Sequence, residues 1–173
     1  VLRMDILDTV ETLVPHTETA LEAPVPLRLL EIESLDQIAE IMRRYEALNI
    51  PKEDPVLFFQ TLTTDRNAWF LVHPAGLVYF TGVFPGISAM LHVLFWDGKL
   101  TKARALEVRV AVRQAAERFN LARVSAQFKW SNRAYLKFLR SVGFVYEGTL
   151  RKGWVEATSF EDMLLYGMIS EEL

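Results

Sequence analysis

Between Ala68 and Trp96 the chain carries three strand-like segments, Ala68–His73, Leu77–Phe84 and Ala89–Trp96, separated only by Pro74-Ala75-Gly76 and by Pro85-Gly86 with its short flank. Connectors this short close hairpins and leave no room for a crossover helix, so the three are expected to form an antiparallel meander. The next segment, Leu100–Phe119, contains neither Gly nor Pro. Leu106, Val108, Val110 and Val112 alternate like a strand, whereas Ala103, Ala105, Ala111, Ala115 and Ala116 favour helix. A strand of that length lies outside the ordinary range, and a helix is predicted.

The flanks extend this centre in both directions. Val25–Ile32, bounded by prolines, reads as a first strand. Ser34 and Gln37 form a capping-box pattern that opens a helix running to about Asn49, with Ile38, Ile41, Met42 and Tyr45 on one face. Pro51 stops it, and a shorter helix is predicted over Asp54–Leu62 with Pro55 in its first turn. Beyond the long helix, Arg123–Phe128 reads as a strand. Ser131–Val142 reads as a helix with Ser131 as N-cap and Gly143 at the left-handed C-terminal position. Phe144–Leu150 and Phe160–Ile169 complete the pattern as strands. The predicted order is β-α-α-β-β-β-α-β-α-β-β, a single mixed α/β domain over residues 24–173. Residues 1–23 read as an appendage, a short helix or arm: Met4–Val14 has helical spacing and Pro15-His16-Thr17-Glu18 breaks it.

Composition removes several function classes. The chain has 173 residues and no cysteine, which excludes a disulfide framework, a thiolate nucleophile and Cys-bound zinc. A hydrophobic fraction of 51% argues for a packed core. His16, His73 and His92 have no metal-ligand spacing, so no metal is expected. There is no Walker loop and no G-x-G-x-x-G, and Gly86-Ile87-Ser88-Ala89-Met90 lacks the second glycine of a nucleophile elbow. No apolar run reaches the roughly 20 residues that span a bilayer, and Asp5, Asp8 and Glu11 do not suit a secretory signal. No membrane role is expected, and the location expected is the cytoplasm. The net charge of −3 conceals a division: from Gly98 to Gly153 there are 13 Lys/Arg against 3 Asp/Glu. Such asymmetry points to an anionic ligand. No dense Lys/Arg run accompanies it, which disfavours nucleic acid.

The stretch Asn120–Ile169 contains Ser131-Asn132-Arg133-Ala134, Gly143-Phe144, Glu147-Gly148, Arg151, Asp162 and Tyr166. It resembles the C-terminal half of the GNAT superfamily of N-acetyltransferases, and most of all the branch of ribosomal-protein N-terminal acetyltransferases, with its N-x-x-(S/A)…G-F…E-G…R…D…Y spacing. With the upstream order of elements, the resemblance covers about Pro26–Ile169.

The resemblance implies a GNAT fold, a mixed central sheet with helices on both faces, whose fourth and fifth strands splay to admit acetyl-CoA as co-substrate. Strand-four residues Leu94, Phe95 and Trp96 would line the cofactor. Its pyrophosphate would meet Lys99, Thr101, Lys102, Ala103 and Arg104 at the start of the long helix, where free amides and the helix dipole favour an anion. The three cations of that loop stand where the family usually has R/Q-x-x-G-x-G/A. Asn132 corresponds to a family residue near the pantetheine. The family tyrosine that protonates the departing thiolate is replaced by Leu139, and Tyr135, one helical turn earlier, is the candidate acid. His92 and Glu156 are the candidate bases. The implied activity is that of an acyltransferase, moving acetyl to a primary amine on a protein N-terminus or a small cationic molecule. A non-catalytic binding or assembly module on the same fold is the alternative, and a homodimer is compatible with either.

Overall fold

A computed structural model of the chain describes residues 28–29, 40–41, 43–44, 64–73, 75–156 and 158–172. The expected appendage at 1–23, the helix expected over Asp54–Leu62 and most of the helix expected from Ser34 lie outside these residues. Of the last, residues 40, 41, 43 and 44 are helical, with Glu40 bridging to Arg43 and Arg44 at 2.7 and 2.6 Å. The described elements run β1 (Arg28–Leu29), β2 (Trp69–His73), β3 (Gly76–Phe84), β4 (Ser88–Phe95), α1 (Lys102–Phe119), β5 (Arg123–Lys129), α2 (Arg133–Val142), β6 (Val145–Glu156) and β7 (Ser159–Ile169).

The strands form one seven-stranded sheet in the order β1-β2-β3-β4-β5-β7-β6. The meander is as its turns dictate: β2 pairs antiparallel with β3 and β3 with β4. The return through α1 makes β5 parallel to β4, and β7 then separates β5 from the edge strand β6.

The ambiguous alternation in α1 resolves by face. Val108 and Val112, one turn apart, are fully buried beside Ala105, Ala111 and Ala115, whereas Leu106 and Val110 are turned outward. Small side chains there let the helix lie close on the sheet. In α2 the buried set is Tyr135, Leu136, Phe138, Leu139 and Val142, with Arg133, Lys137 and Arg140 exposed. Gly143 ends α2 at φ 117°, and its N–H caps the Leu139 and Arg140 carbonyls. A Cβ there would stand 2.8 Å from the Arg109 guanidinium and 3.0 Å from the Met168 methyl.

Several strand ends shift by one residue, and three boundaries differ in ways that bear on the site. Thr101 caps α1, so the helix begins at Lys102 rather than Leu100. Asn132, not Ser131, caps α2, its side-chain oxygen accepting from the Tyr135 N–H at 3.1 Å. Finally, β6 does not stop at Leu150. Irregularities between Tyr146 and Gly148 and between Leu150 and Trp154 absorb the register, the Lys152 N–H donates to the Asp162 carboxylate at 2.9 Å, and pairing resumes to Glu156.

Candidate active site

Strands β4 and β5 pair over only three positions, Ser88↔Arg123, Ala89↔Val124 and Met90↔Ser125. Beyond them β4 stays bound to β3 as far as Phe95, and β5 stays bound to β7 as far as Lys129. The central sheet therefore opens like a wedge toward the carboxyl ends of its two parallel strands. Both helices that follow these strands start at that end, the place where α/β sheets receive ligands.

The wedge leaves backbone donors to account for. The Trp96 N–H donates to the Ala75 carbonyl at 2.9 Å, so even-numbered residues at this end of β4 bond toward β3. Alternation turns the odd-numbered N–H groups toward β5: that of Leu91 is taken up by the Met90↔Ser125 bridge, and those of Val93 and Phe95 face the gap. The Val93 N–H makes a backbone hydrogen bond to the Tyr135 hydroxyl oxygen. Tyr135 reaches it from the first turn of α2. Its ring stacks on Phe128 of β5 with centroids 4.2 Å apart, and Phe128 in turn contacts Trp154 of β6 at 5.2 Å. Phe138, one turn along α2, meets Phe95 of β4 edge-on at 6.0 Å. Tyr135 thus spans the wedge, with its hydroxyl on β4 and its ring on β5. Burial pushes the phenol well above the ordinary tyrosine value, and the Val93 hydrogen bond offsets only part of that.

The loop from β4 into α1 is built around Asp97. Gly98, at φ 64°, turns the chain, and its N–H donates to the Phe95 carbonyl at 3.0 Å. The Asp97 carboxylate accepts from the Lys99 N–H at 3.0 Å and takes both Arg104 guanidinium nitrogens, at 2.5 and 3.0 Å. Arg104 also donates to the Lys99 carbonyl at 2.6 Å and lies over the Phe95 ring. The Arg104 guanidinium, with the Lys99 N–H, holds the Asp97 carboxyl far below the usual carboxylate range. The Thr101 hydroxyl oxygen accepts from the Arg104 N–H, leaving the Lys102 and Ala103 N–H groups without a partner among the described residues. The Lys99 and Lys102 side chains are exposed beside them.

The sequence-derived candidates divide by location. Phe95, Lys99, Thr101, Lys102, Ala103, Arg104, Asn132 and Tyr135 all lie at the open end of the wedge. Arg104 is engaged with Asp97, and the Asn132 side-chain oxygen caps α2. Leu94 and Trp96 pack on the other face of the sheet, against the cluster containing Ile41 and Leu77. His92 shares that face: its ring stacks on Tyr79 with centroids 4.6 Å apart, and Nε2 lies 2.8 Å from the Thr81 hydroxyl. Burial lowers its pKa to about 4, so it is neutral at neutral pH. Glu156 pairs with Ser159 at the tip of the β6–β7 hairpin, beyond the last residue of β5 and so on the open end of the sheet. Sequence reasoning missed Asp97 and Phe128. The Asp97-Gly98 dipeptide signals a turn, but nothing in it announces a clamp on Arg104.

Among the described residues there is no group of three or more His, Asp or Glu side chains able to hold a metal, and no helix long and apolar enough to cross a membrane.

No family model matches the sequence, and no curated protein matches it by sequence. Solved structures do match in three dimensions. Ribosomal-protein-S5-alanine acetyltransferase from Vibrio fischeri superposes with a TM-score of 0.66 at 19% identity, covering 79% of this chain and 90% of that one. Spermidine N-acetyltransferase from Vibrio cholerae, solved with CoA and spermine, gives 0.65 at 17% identity over 84% of this chain and 95% of that one. The microcin C7 self-immunity acetyltransferase MccE, in complex with acetyl-CoA and AMP, gives 0.64 at 15% identity, over 79% and 88%. At these identities the likeness is one of fold: this chain has the GNAT fold of these neighbours.

Proposed function

We propose that the protein transfers an acetyl group from acetyl-CoA to a primary amine. The observation that carries this reading is the wedge between β4 and β5, with the Val93 N–H and the Tyr135 hydroxyl meeting inside it. Three solved neighbours are acetyltransferases, and two of them are complexes with CoA or acetyl-CoA. The acceptor class suggested by the spermidine and ribosomal-protein enzymes is a polyamine or a protein N-terminus.

In this reading the pyrophosphate rests on the Lys102 and Ala103 N–H groups at the start of α1, with the Lys99 and Lys102 ammoniums beside it. Asp97 and Arg104 fix the shape of that loop. The thioester lies in the wedge with its carbonyl oxygen toward a β4 N–H. A neutral amine attacks the carbonyl carbon and forms the C–N bond, while charge grows on the oxygen facing that donor. The C–S bond then breaks and its electron pair goes to sulfur. Tyr135 meets the sulfur as a hydrogen-bond donor. A phenol raised by burial is a weaker acid than a thiol of pKa about 8.5, so outright proton transfer from it is uphill. The amine proton leaves to water. His92, with its pKa near 4, can accept that proton only in passing.

Calorimetry with acetyl-CoA and turnover on a panel of polyamines and N-terminal peptides test the reading. Two charges near 4 Å interact by about 1 kcal/mol in water, so the two-unit reversal in Lys102→Glu should weaken acetyl-CoA binding by about tenfold or more. No binding to the unaltered protein at millimolar cofactor refutes the reading. Binding without turnover on any amine transfers the assignment to a non-catalytic module.

A further inference from the structure

The open end of the wedge carries more positive charge than the proposed cofactor contact uses. Trp130 follows the last residue of β5, and Arg133 is the first residue of α2. The Arg133 guanidinium lies over the Trp130 ring, 3.3 Å from its centroid. The Trp130 N–H donates to the Asp162 carbonyl at 2.9 Å, and the Asp162 carboxylate accepts from the Lys152 N–H at the same distance. That chain of bonds sets the irregular part of β6, with Arg151 and Lys152, beside the start of α2. Lys152 is held at φ 56°, a left-handed conformation that a lysine adopts only at a cost. Two residues on, Trp154 touches Phe128, whose ring stacks on Tyr135 inside the wedge. Arg133, Arg151 and Lys152 are exposed and have no carboxylate partner among the described residues. Of the nearby acids, Glu161 faces Lys129 at 3.9 Å, Asp162 is bonded to the Lys152 N–H, and Glu156 stands further out at the hairpin tip. As the first residue of α2, Arg133 also opposes the helix dipole unless an anion offsets it.

The acid–base chemistry of the reaction adds a second constraint. His92, with its pKa near 4, is a poor base, so the amine has to become neutral by its own acidity. A peptide α-amine, of ordinary pKa about 7.7–8.0, is partly neutral at neutral pH, whereas an alkylammonium at about 10.4 is almost wholly charged. Cations around the entrance favour the neutral amine further and repel a polyamine. We propose that Arg133, Arg151 and Lys152 select the acceptor, a peptide whose free N-terminal amine is followed closely by acidic side chains. The inference rests on the acetyl-transfer reading and deepens it, choosing the peptide over the polyamine and adding a sequence preference. The amine enters the wedge while the acidic side chains behind it pair with the cationic rim.

The test compares two peptides that differ only in carrying Asp-Glu or Asn-Gln directly after the first residue, with spermidine as a third acceptor, all at saturating acetyl-CoA. One charge pair near 4 Å in water is worth about 1 kcal/mol, or about fivefold. The kcat/KM for the acidic peptide should therefore exceed that for its amide twin by about fivefold or more, and the ratio should shrink as salt is added. It should also fall toward one in Arg133→Gln and in the double variant Arg151→Gln/Lys152→Gln, with a thermal melt to check that each is folded. Equal rates on the two peptides in the unaltered protein, or faster turnover of spermidine, overturn the selection while leaving acetyl transfer intact. Both of those outcomes are read without any variant. A ratio that survives the substitutions in folded protein overturns the assignment to these residues. No turnover of the unaltered protein on any acceptor overturns acetyl transfer as well.

Discussion

His92 gives a quantitative test of how the sheet is packed. Its ring lies between Tyr79 and the Thr81 hydroxyl on adjacent β3, and burial lowers its pKa from 6.5 to about 4. The folded protein therefore resists a proton that the unfolded chain accepts readily. At pH 8 neither state carries it and His92 is neutral in both. As pH falls through 6.5 the unfolded state protonates first, and stability is lost until the folded state also protonates near pH 4. The loss attributable to this one ring is about 2 kcal/mol at pH 5 and about 3 kcal/mol at pH 4, both relative to pH 8. Other groups titrate in the same range, so the comparison must be with His92→Gln, whose amide can still bond to Thr81 and carries no charge. Urea unfolding of both proteins at pH 8, 5 and 4 gives the difference directly. The stability of the unaltered protein relative to the variant should fall by those amounts, because carboxylates such as Asp97 and Glu40 act equally in both. A difference that stays constant with pH would refute the buried, neutral placement of His92 and with it the register of β3 against β4.

Two further substitutions test α2. Asn132→Ala removes the cap on the Tyr135 N–H and should cost about 1 kcal/mol in thermal or denaturant unfolding, while Asn132→Asp should be nearly neutral. Gly143→Ala places a side chain at φ 117° and against Arg109 and Met168, and should cost about 1–2 kcal/mol; an unchanged denaturation midpoint would contradict the left-handed cap.

What could be read from the sequence depended on whether the signal was local. The meander was legible because its turns are too short for any other connection. The long helix was legible from its length, even though its valines alternate, since Val108 and Val112 fall on one face of a helix as readily as on one face of a strand. The α2 cap was misplaced by one residue because Ser131 and Asn132 both suit the role, and only the backbone path selects Asn132. The outer half of β6 was missed because Lys152-Gly153 reads as a break, whereas the Asp162 carboxylate ten residues on supplies the bond that carries the strand through. Within the site, the resemblance to a family pointed to Tyr135, but its hydrogen bond to Val93 and stack on Phe128 join three separated segments. The low basicity of His92 likewise depends on a strand register that no local pattern encodes.

The basic surplus between Gly98 and Gly153 also takes on a different meaning once its partners are known. Arg104, Arg123 and Lys129 each face a carboxylate, on Asp97, Glu147 and Glu161, at 2.5, 2.6 and 3.9 Å. These three serve the fold. What they leave is positional: α1 and α2 both start at the open end of the wedge with no acidic residue in the first turn. A cation at a helix N-terminus costs about 0.3–1 kcal/mol unless an anion offsets it. For Arg104 that anion is Asp97, supplied from within the chain. Lys102, the first residue of α1, has no carboxylate partner among the described residues, and the N–H groups of Lys102 and Ala103 point outward with it. The loop has thus neutralised Arg104, one of its three cations, and left Lys102 without a carboxylate at the mouth of the cleft. That selective pairing, more than the total charge, is what supports the proposed pyrophosphate contact at this end of the sheet.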